Sequence, residues 1–214
     1  GLDGRIQSAA GRDWGKRHLF FPTVEQRWAK LVAVAYHEAG HAVAAHVLGE
    51  PVASLTIKPN GSTRTLGCVR RPVNETSKAD RRLSVACWRR RRHDARNELL
   101  VLLAGPVAGW MKCRTTDGRA GDFARASVLL QFLYPELRPN STAPDGPQSG
   151  TGNTEESRKR HQVQAWNECR KLLTRPGVWE WVEAVAEAAL TYETLDGDQI
   201  DALNPSRQTG DGSE

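Results

Sequence analysis

The chain lacks paired cysteines, long apolar runs and a glycine-rich phosphate loop, and each absence removes a class of protein. Cys68, Cys87, Cys113 and Cys169 are widely spaced and form no CxxC pair, so a zinc ribbon is excluded. No apolar run approaches the roughly 18 residues of a membrane-spanning helix. No GxxxxGK[ST] segment occurs, and without its glycines and lysine a phosphate-loop nucleotide site has no cradle. No secretory leader is evident: the first residues are polar and include Arg5, Arg12, Lys16 and Arg17. Free thiols and a cytoplasmic location are therefore expected. There are no internal repeats. A length of 214 residues suits one domain with a real core and is short for two.

The net charge of +5 is unevenly spread. Between Lys78 and Arg96 eight basic residues, among them Arg89, Arg90, Arg91 and Arg92, stand against Asp80 and Asp94. From Gly177 to Glu214 nine acidic residues stand against Arg207. The basic run reads first as the solvated face of a helix. As a working surface it would attract acidic polypeptide segments, nucleic acid or the acidic end of another copy. No recognisable nucleic-acid module accompanies it.

The stretch that carries chemistry is His37-Glu38-Ala39-Gly40-His41, an HExxH pattern. Histidines four apart lie one above the other on a helical face, so both imidazoles can reach one ion. Glu38, next to the first histidine, is the expected general base for a metal-activated water. Small and apolar neighbours, from Ala33 to Leu48, predict a mostly buried helix, and Gly49 then Pro51 give it a stop. A purely structural helix can carry the same pentapeptide. Catalytic zinc also needs a third protein ligand. The extended HExxHxxGxxH pattern fails, because Ala44 and Val47 occupy its glycine and last histidine positions. His46 lies five residues past His41 and points off the ligand face. Glu98 could act from a second helix, as in thermolysin-like enzymes. Asp122 follows a glycine-rich turn and opens a helical pattern, where an N-cap role is the plain alternative.

Along the chain, 1–22 read as an irregular N-terminal arm and 24–48 as the HExxH helix with its lead-in. Alternation at 52–57 and 65–70, around Pro59-Asn60-Gly61, predicts a small β-hairpin. Helices are expected over 78–112, 122–133, 155–173, 177–192 and 198–203. The segment 135–157, rich in Pro, Gly, Ser, Thr and Asn, reads as a mobile loop. Residues 205–214 read as a disordered tail. The fold class expected is mostly α with a small sheet beside the HExxH helix.

Several segments together resemble the peptidase domain of the FtsH-type membrane AAA+ zinc metalloproteases. Tyr36-His37-Glu38-Ala39-Gly40-His41-Ala42 matches that family's HEAGHA core. The segments 51–59 and 65–69 resemble its next two strands. Leu102-Leu103-Ala104-Gly105-Pro106-Val107-Ala108 is similar to its LLGGRAAE helix, with Pro106 where the family has arginine. The glycine turn ending in Asp122 resembles its TGASNDL segment. Tyr192-Glu193-Thr194-Leu195-Asp196-Gly197-Asp198-Gln199-Ile200 resembles its ETLDGEEI signature. The resemblance implies a peptidase domain over 23–204, zinc as cofactor, and Asp122 as third ligand beside His37 and His41. It also implies Glu38 as the catalytic base and an edge near Gly67, Cys68 and Val69 to which an extended substrate adds. The 36 residues before the motif cannot hold an AAA+ module, so the expected activity is ATP-independent cleavage of unfolded or flexible polypeptides. A weakly catalytic binding or adaptor module, or a subunit served by a separate AAA+ ATPase, is the alternative. A polypeptide substrate, such an ATPase and further copies of this chain are the implied partners.

Overall fold

The structure, a computed structural model, describes residues 22–59, 67–71, 85–115, 120–137 and 152–208, without side-chain detail at 85–90, 152–154 and 208. Helix α1 spans Val24–Val47. Thr23 caps it: its hydroxyl accepts from the Gln26 amide at 3.2 Å, and the Gln26 side chain accepts from the Thr23 amide at 2.9 Å. This reciprocal box satisfies two of the amides a helix start leaves open. The far end closes on Gly49, whose φ of 78° suits a residue without Cβ. There the Gly49 amide bonds to the His46 carbonyl and the Glu50 amide to the Ala45 carbonyl, at 3.0 and 2.8 Å. That pair is the Schellman closure.

Three short strands follow the predicted hairpin and add to it. Strands β1 (Ser54–Thr56) and β2 (Cys68–Arg70) pair antiparallel with Leu55 opposite Val69. A third strand, β3 (Thr194–Asp196), pairs on the other side of β1 with Leu55 opposite Leu195, so the order is β2-β1-β3. Leu55 and Leu195 are buried, while their polar neighbours in β3 face out. The turn expected at Asn60-Gly61 lies outside the described residues.

Helices supply the rest. They are α2 (Val85–Cys113), α3 (Ala120–Leu133), α4 (Gly152–Leu173), α5 (Val178–Tyr192), α6 (Gly197–Ala202) and α7 (Pro205–Gln208). A 3-10 turn, Pro135–Leu137, follows α3. Helix α4 thus begins three residues before its expected start, and α7 forms where the tail was expected to begin. The arm at 1–21, the loop core at 138–151 and the last residues, 209–214, lie outside the described residues. Among the described residues no helix is long and apolar enough to cross a membrane.

The core lies between α1, α2 and α5. Small residues let α1 and α2 meet closely: a Cβ on Gly40 would come within 2.5 Å of the Ala104 carbonyl oxygen. Helix α5 packs Val182, Val185, Ala186 and Ala189, all fully buried, on the same core. The Trp181 indole donates to the Ile200 carbonyl at 2.8 Å and ties α6 down. A capping box between Asp196 and Gln199 starts α6 directly from β3. The mostly helical architecture with a small antiparallel sheet is the one the hydrophobic patterning predicts. The sheet has three strands because the segment 194–196, too short to show alternation, closes back onto β1.

Candidate metal centre

Helix α1 places His37 and His41 one turn apart, their rings edge to face with centroids 4.6 Å apart. Helix α3 brings Asp122 to them from its first turn. The Nε2 atoms of the histidines are 3.0 Å apart, and Asp122 Oδ2 is 3.1 Å from His37 Nε2 and 3.5 Å from His41 Nε2. Among the described residues these three form the cluster of ligand-type atoms able to hold a metal ion. Ligands at about 2.0–2.1 Å from a tetrahedral ion stand roughly 3.3 Å from one another, so the donor set fits such an ion.

The second nitrogen of His41 supports this fit. His41 Nδ1 is 2.7 Å from the Val101 carbonyl oxygen, buried in α2. A carbonyl can only accept, so Nδ1 carries the proton and Nε2 turns its lone pair toward the cluster. Gly105, one turn further along α2, lies under the same ring. A Cβ there would overlap His41 Nε2 and fall 2.7 Å from Cδ2 and Cε1. The glycine of the Leu102–Ala108 segment is therefore what lets α2 support the imidazole. Pro106 sits inside α2, fully buried, and the helix continues through it.

Glu38 is buried beside the histidines, with 7% of its surface exposed. Burial pushes its carboxyl up to about 7, against the attraction of His41. Burial would also raise Asp122, but hydrogen bonds with His37 and His41 outweigh it and hold that carboxyl below the usual range. His37 is lowered, chiefly by burial. Burial pulls His41 down as well, yet Asp122 and Glu38 together leave it raised. Neutral imidazole and ionised Asp122 are the forms that donate electron pairs to a metal.

The other residues singled out from sequence sit elsewhere or beside the cluster. Glu98 accepts hydrogen bonds from Arg71 and, at 3.4 Å, from Arg125, and is not part of the three-residue cluster. His46 Nδ1 is 2.8 Å from Asp201, and its ring packs on Trp181 with centroids 5.4 Å apart. Gly67 lies directly against Glu38: a Cβ there would come within 2.6 Å of Cγ and Oε1. Cys68 and Val69 follow in β2, an edge strand of the sheet. Of the arginine run, Arg91 and Arg92 are exposed on α2, Arg92 donating to the Leu133 carbonyl; the side chains of Arg89 and Arg90 lie outside the described residues. Sequence reasoning missed Val101 and Gly105. The first acts through its backbone and leaves no trace in residue type. The second was legible only as part of a motif.

Comparison with known proteins bears on this geometry. A family model described as Peptidase M50B-like matches residues 18–73, which include the HExxH turn, β1 and β2. The ATP-dependent zinc metalloprotease FtsH 4 of Sorangium cellulosum (strain So ce56) is 31% identical over 200 residues. The chain is similar to zinc metallopeptidases. The FtsH 4 match covers 81% of this chain and 29% of that protein, so the chain spans under a third of its relative's length. The two matches name different peptidase groups, and what they share is a peptidase; the FtsH 4 protein is named as a zinc metalloprotease.

Proposed function

We propose that this chain is a zinc-dependent endopeptidase of the FtsH type, acting on unfolded or flexible polypeptides. The observation that carries the reading is the convergence of two Nε2 atoms and one carboxylate oxygen beside a buried glutamate. His37, His41 and Asp122 would hold the ion, His41 kept in its donor tautomer by the Val101 carbonyl. A zinc ion there would supply Lewis acidity toward the scissile carbonyl and would lower the pKa of water toward about 7.

The remaining work falls to this chain's own residues. Glu38 accepts the proton of the attacking water and returns it to the leaving amine. A carboxyl raised to about 7 is suited to do both near neutral pH. Gly67 gives the glutamate room and lets a substrate backbone approach it. The edge of β2 that is unpaired among the described residues offers amides and carbonyls to an extended peptide. Such an edge accepts chain that is already unfolded, which is why flexible polypeptides are the expected substrates.

Metal analysis tests the ligand set. Wild type and Glu98→Ala are expected to bind one zinc per chain, and Asp122→Ala to lose it. Zinc retained by Asp122→Ala and lost by Glu98→Ala would transfer the third ligand to Glu98. A zinc-bound chain that cleaves no unfolded polypeptide would leave a binding module in place of the enzyme.

A further inference from the structure

The edge strand beside Glu38 ends in Arg70, with Arg71 next in the chain, and a third arginine stands one helical turn from Asp122. Starting from Gly67 against Glu38, Arg70 and Arg71 lie three and four residues further along the same chain. At about 3.3 Å per residue this is roughly 10–13 Å. Arg125 follows Asp122 by three positions in α3, which puts the two on neighbouring surface positions. Glu98 accepts from both Arg71 and Arg125, so one carboxylate is shared between two guanidiniums. Arg70 is exposed and makes no ion pair among the described residues. Two guanidiniums thus meet one carboxylate beside β2, and Arg70 is the exposed last residue of that strand.

This arrangement matters for any peptide that adds to β2. In such pairing each peptide residue lies opposite one residue of the strand, and side chains opposite one another share a face of the sheet. A peptide whose scissile bond sits at Gly67 and Glu38 therefore carries its residues three and four positions away past Arg70 and Arg71. We propose that Arg70, Arg71 and Arg125 make the β2 edge selective for substrates with acidic residues at those positions, and that Glu98 sets the strength of the selection by neutralising part of the charge. The inference rests on the peptidase reading for the location of the scissile bond. The charge surface itself does not depend on it. Nothing in HExxH chemistry requires charge at this distance, so the preference is a property of this chain's own edge.

The test is binding, read separately from turnover. Three labelled unstructured peptides, identical except for Glu, Gln or Lys at the flanking positions, are titrated by fluorescence anisotropy into the zinc-loaded Glu38→Gln chain. Exposed charge pairs of this kind discriminate by about 1.4- to fivefold each. The Glu peptide is expected to bind tighter than the Lys peptide by at least that factor, with the gap shrinking between low and high salt. Arg70→Gln, at a side chain with no ion pair among the described residues, narrows the gap. Arg71→Gln narrows it too, and Glu98→Gln widens it. A purely structural ion-pair cluster would instead weaken all three peptides alike in the Arg71 and Glu98 variants. Equal binding of the three peptides at low salt, or no binding of any, overturns the proposal. Turnover of the Gln peptide by wild type is scored independently. Charge-selective binding without turnover removes the peptidase reading and keeps this surface, whereas turnover without charge preference does the reverse.

Discussion

Gly105→Ala should behave opposite to the usual effect of that change in a helix. Inside a helix, alanine is ordinarily favoured over glycine by roughly 0.5–1 kcal/mol. Here the new Cβ would land on the His41 imidazole, 2.7 Å from Cδ2 and Cε1. That ring is buried and pinned through Nδ1 to Val101, so it cannot swing aside without giving up that bond. Restoring ordinary contact at 3.4 Å or more moves Nε2, the atom turned toward His37 and Asp122. Overpacking of this kind costs about 1–3 kcal/mol, which exceeds the propensity gain. Disturbing a partner of a metal-ligating histidine typically costs about 10–100-fold in metal affinity. Gly109, one turn on in the same helix, is the control. Its added Cβ would meet Thr115 O at 3.7 Å and Ala33 O at 4.0 Å, both ordinary contacts. Zinc competition against a chromophoric chelator and thermal unfolding of the metal-free chains check the pair. Gly109→Ala should gain about 0.5–1 kcal/mol and bind zinc normally, while Gly105→Ala loses stability and affinity. Two variants indistinguishable in zinc affinity and stability would refute the reasoning that α2 supports His41 through the missing side chain.

Other consequences follow from the same site. In the metal-free chain, the Glu38 carboxyl is raised from 4.5 to about 7 by burial, so the folded state binds its proton more tightly than the unfolded state. Its contribution is fully present below about pH 4.5 and is lost as pH rises through about 7, a change on the order of 3 kcal/mol. Denaturant unfolding with chelator, at pH 4.5 and 7.5, should show this loss in wild type and not in Glu38→Gln; parallel pH profiles would contradict it. With no phosphate loop in its sequence, the zinc-loaded chain should cleave a stability series of one folded protein in proportion to each member's open fraction. That fraction is about 10⁻³ to 10⁻⁶ for typical domains. Rates that ignore substrate stability, or a requirement for added ATP by the purified chain, would defeat that expectation.

Much of this fold was legible because its signals are local. The HExxH helix announces itself through alanine-rich packing and the Gly49 stop, and both appear where those residue types place them; the Thr23 cap came only with the structure. Helix α5 shows its buried stripe in the spacing of Val182, Val185 and Ala189. Strand β3 did not show itself, since three residues cannot establish alternation and its partner β1 is nearly 140 residues away in sequence. The meeting of Asp122 with the histidines is also non-local. Composition left Asp122 and Glu98 as rivals, and only the family resemblance separated them before the structure put Glu98 among arginines. The support of His41 by Val101 and Gly105 was beyond reach, because a carbonyl has no residue signature and a glycine in a helix reads as a weakness. Pro106 could be read as a break in α2; the structure keeps the helix intact around it.

The central claim is that a metal-dependent peptidase works here with Glu38 as its proton carrier. The most direct measurement is turnover of an unfolded, casein-like polypeptide by wild type and Glu38→Gln, each with one zinc per chain. Glutamine keeps the shape of the side chain and cannot take the proton. The account predicts equal zinc content and a loss of turnover of about 10²- to 10⁴-fold in the variant. Equal turnover by the two zinc-loaded chains would contradict it.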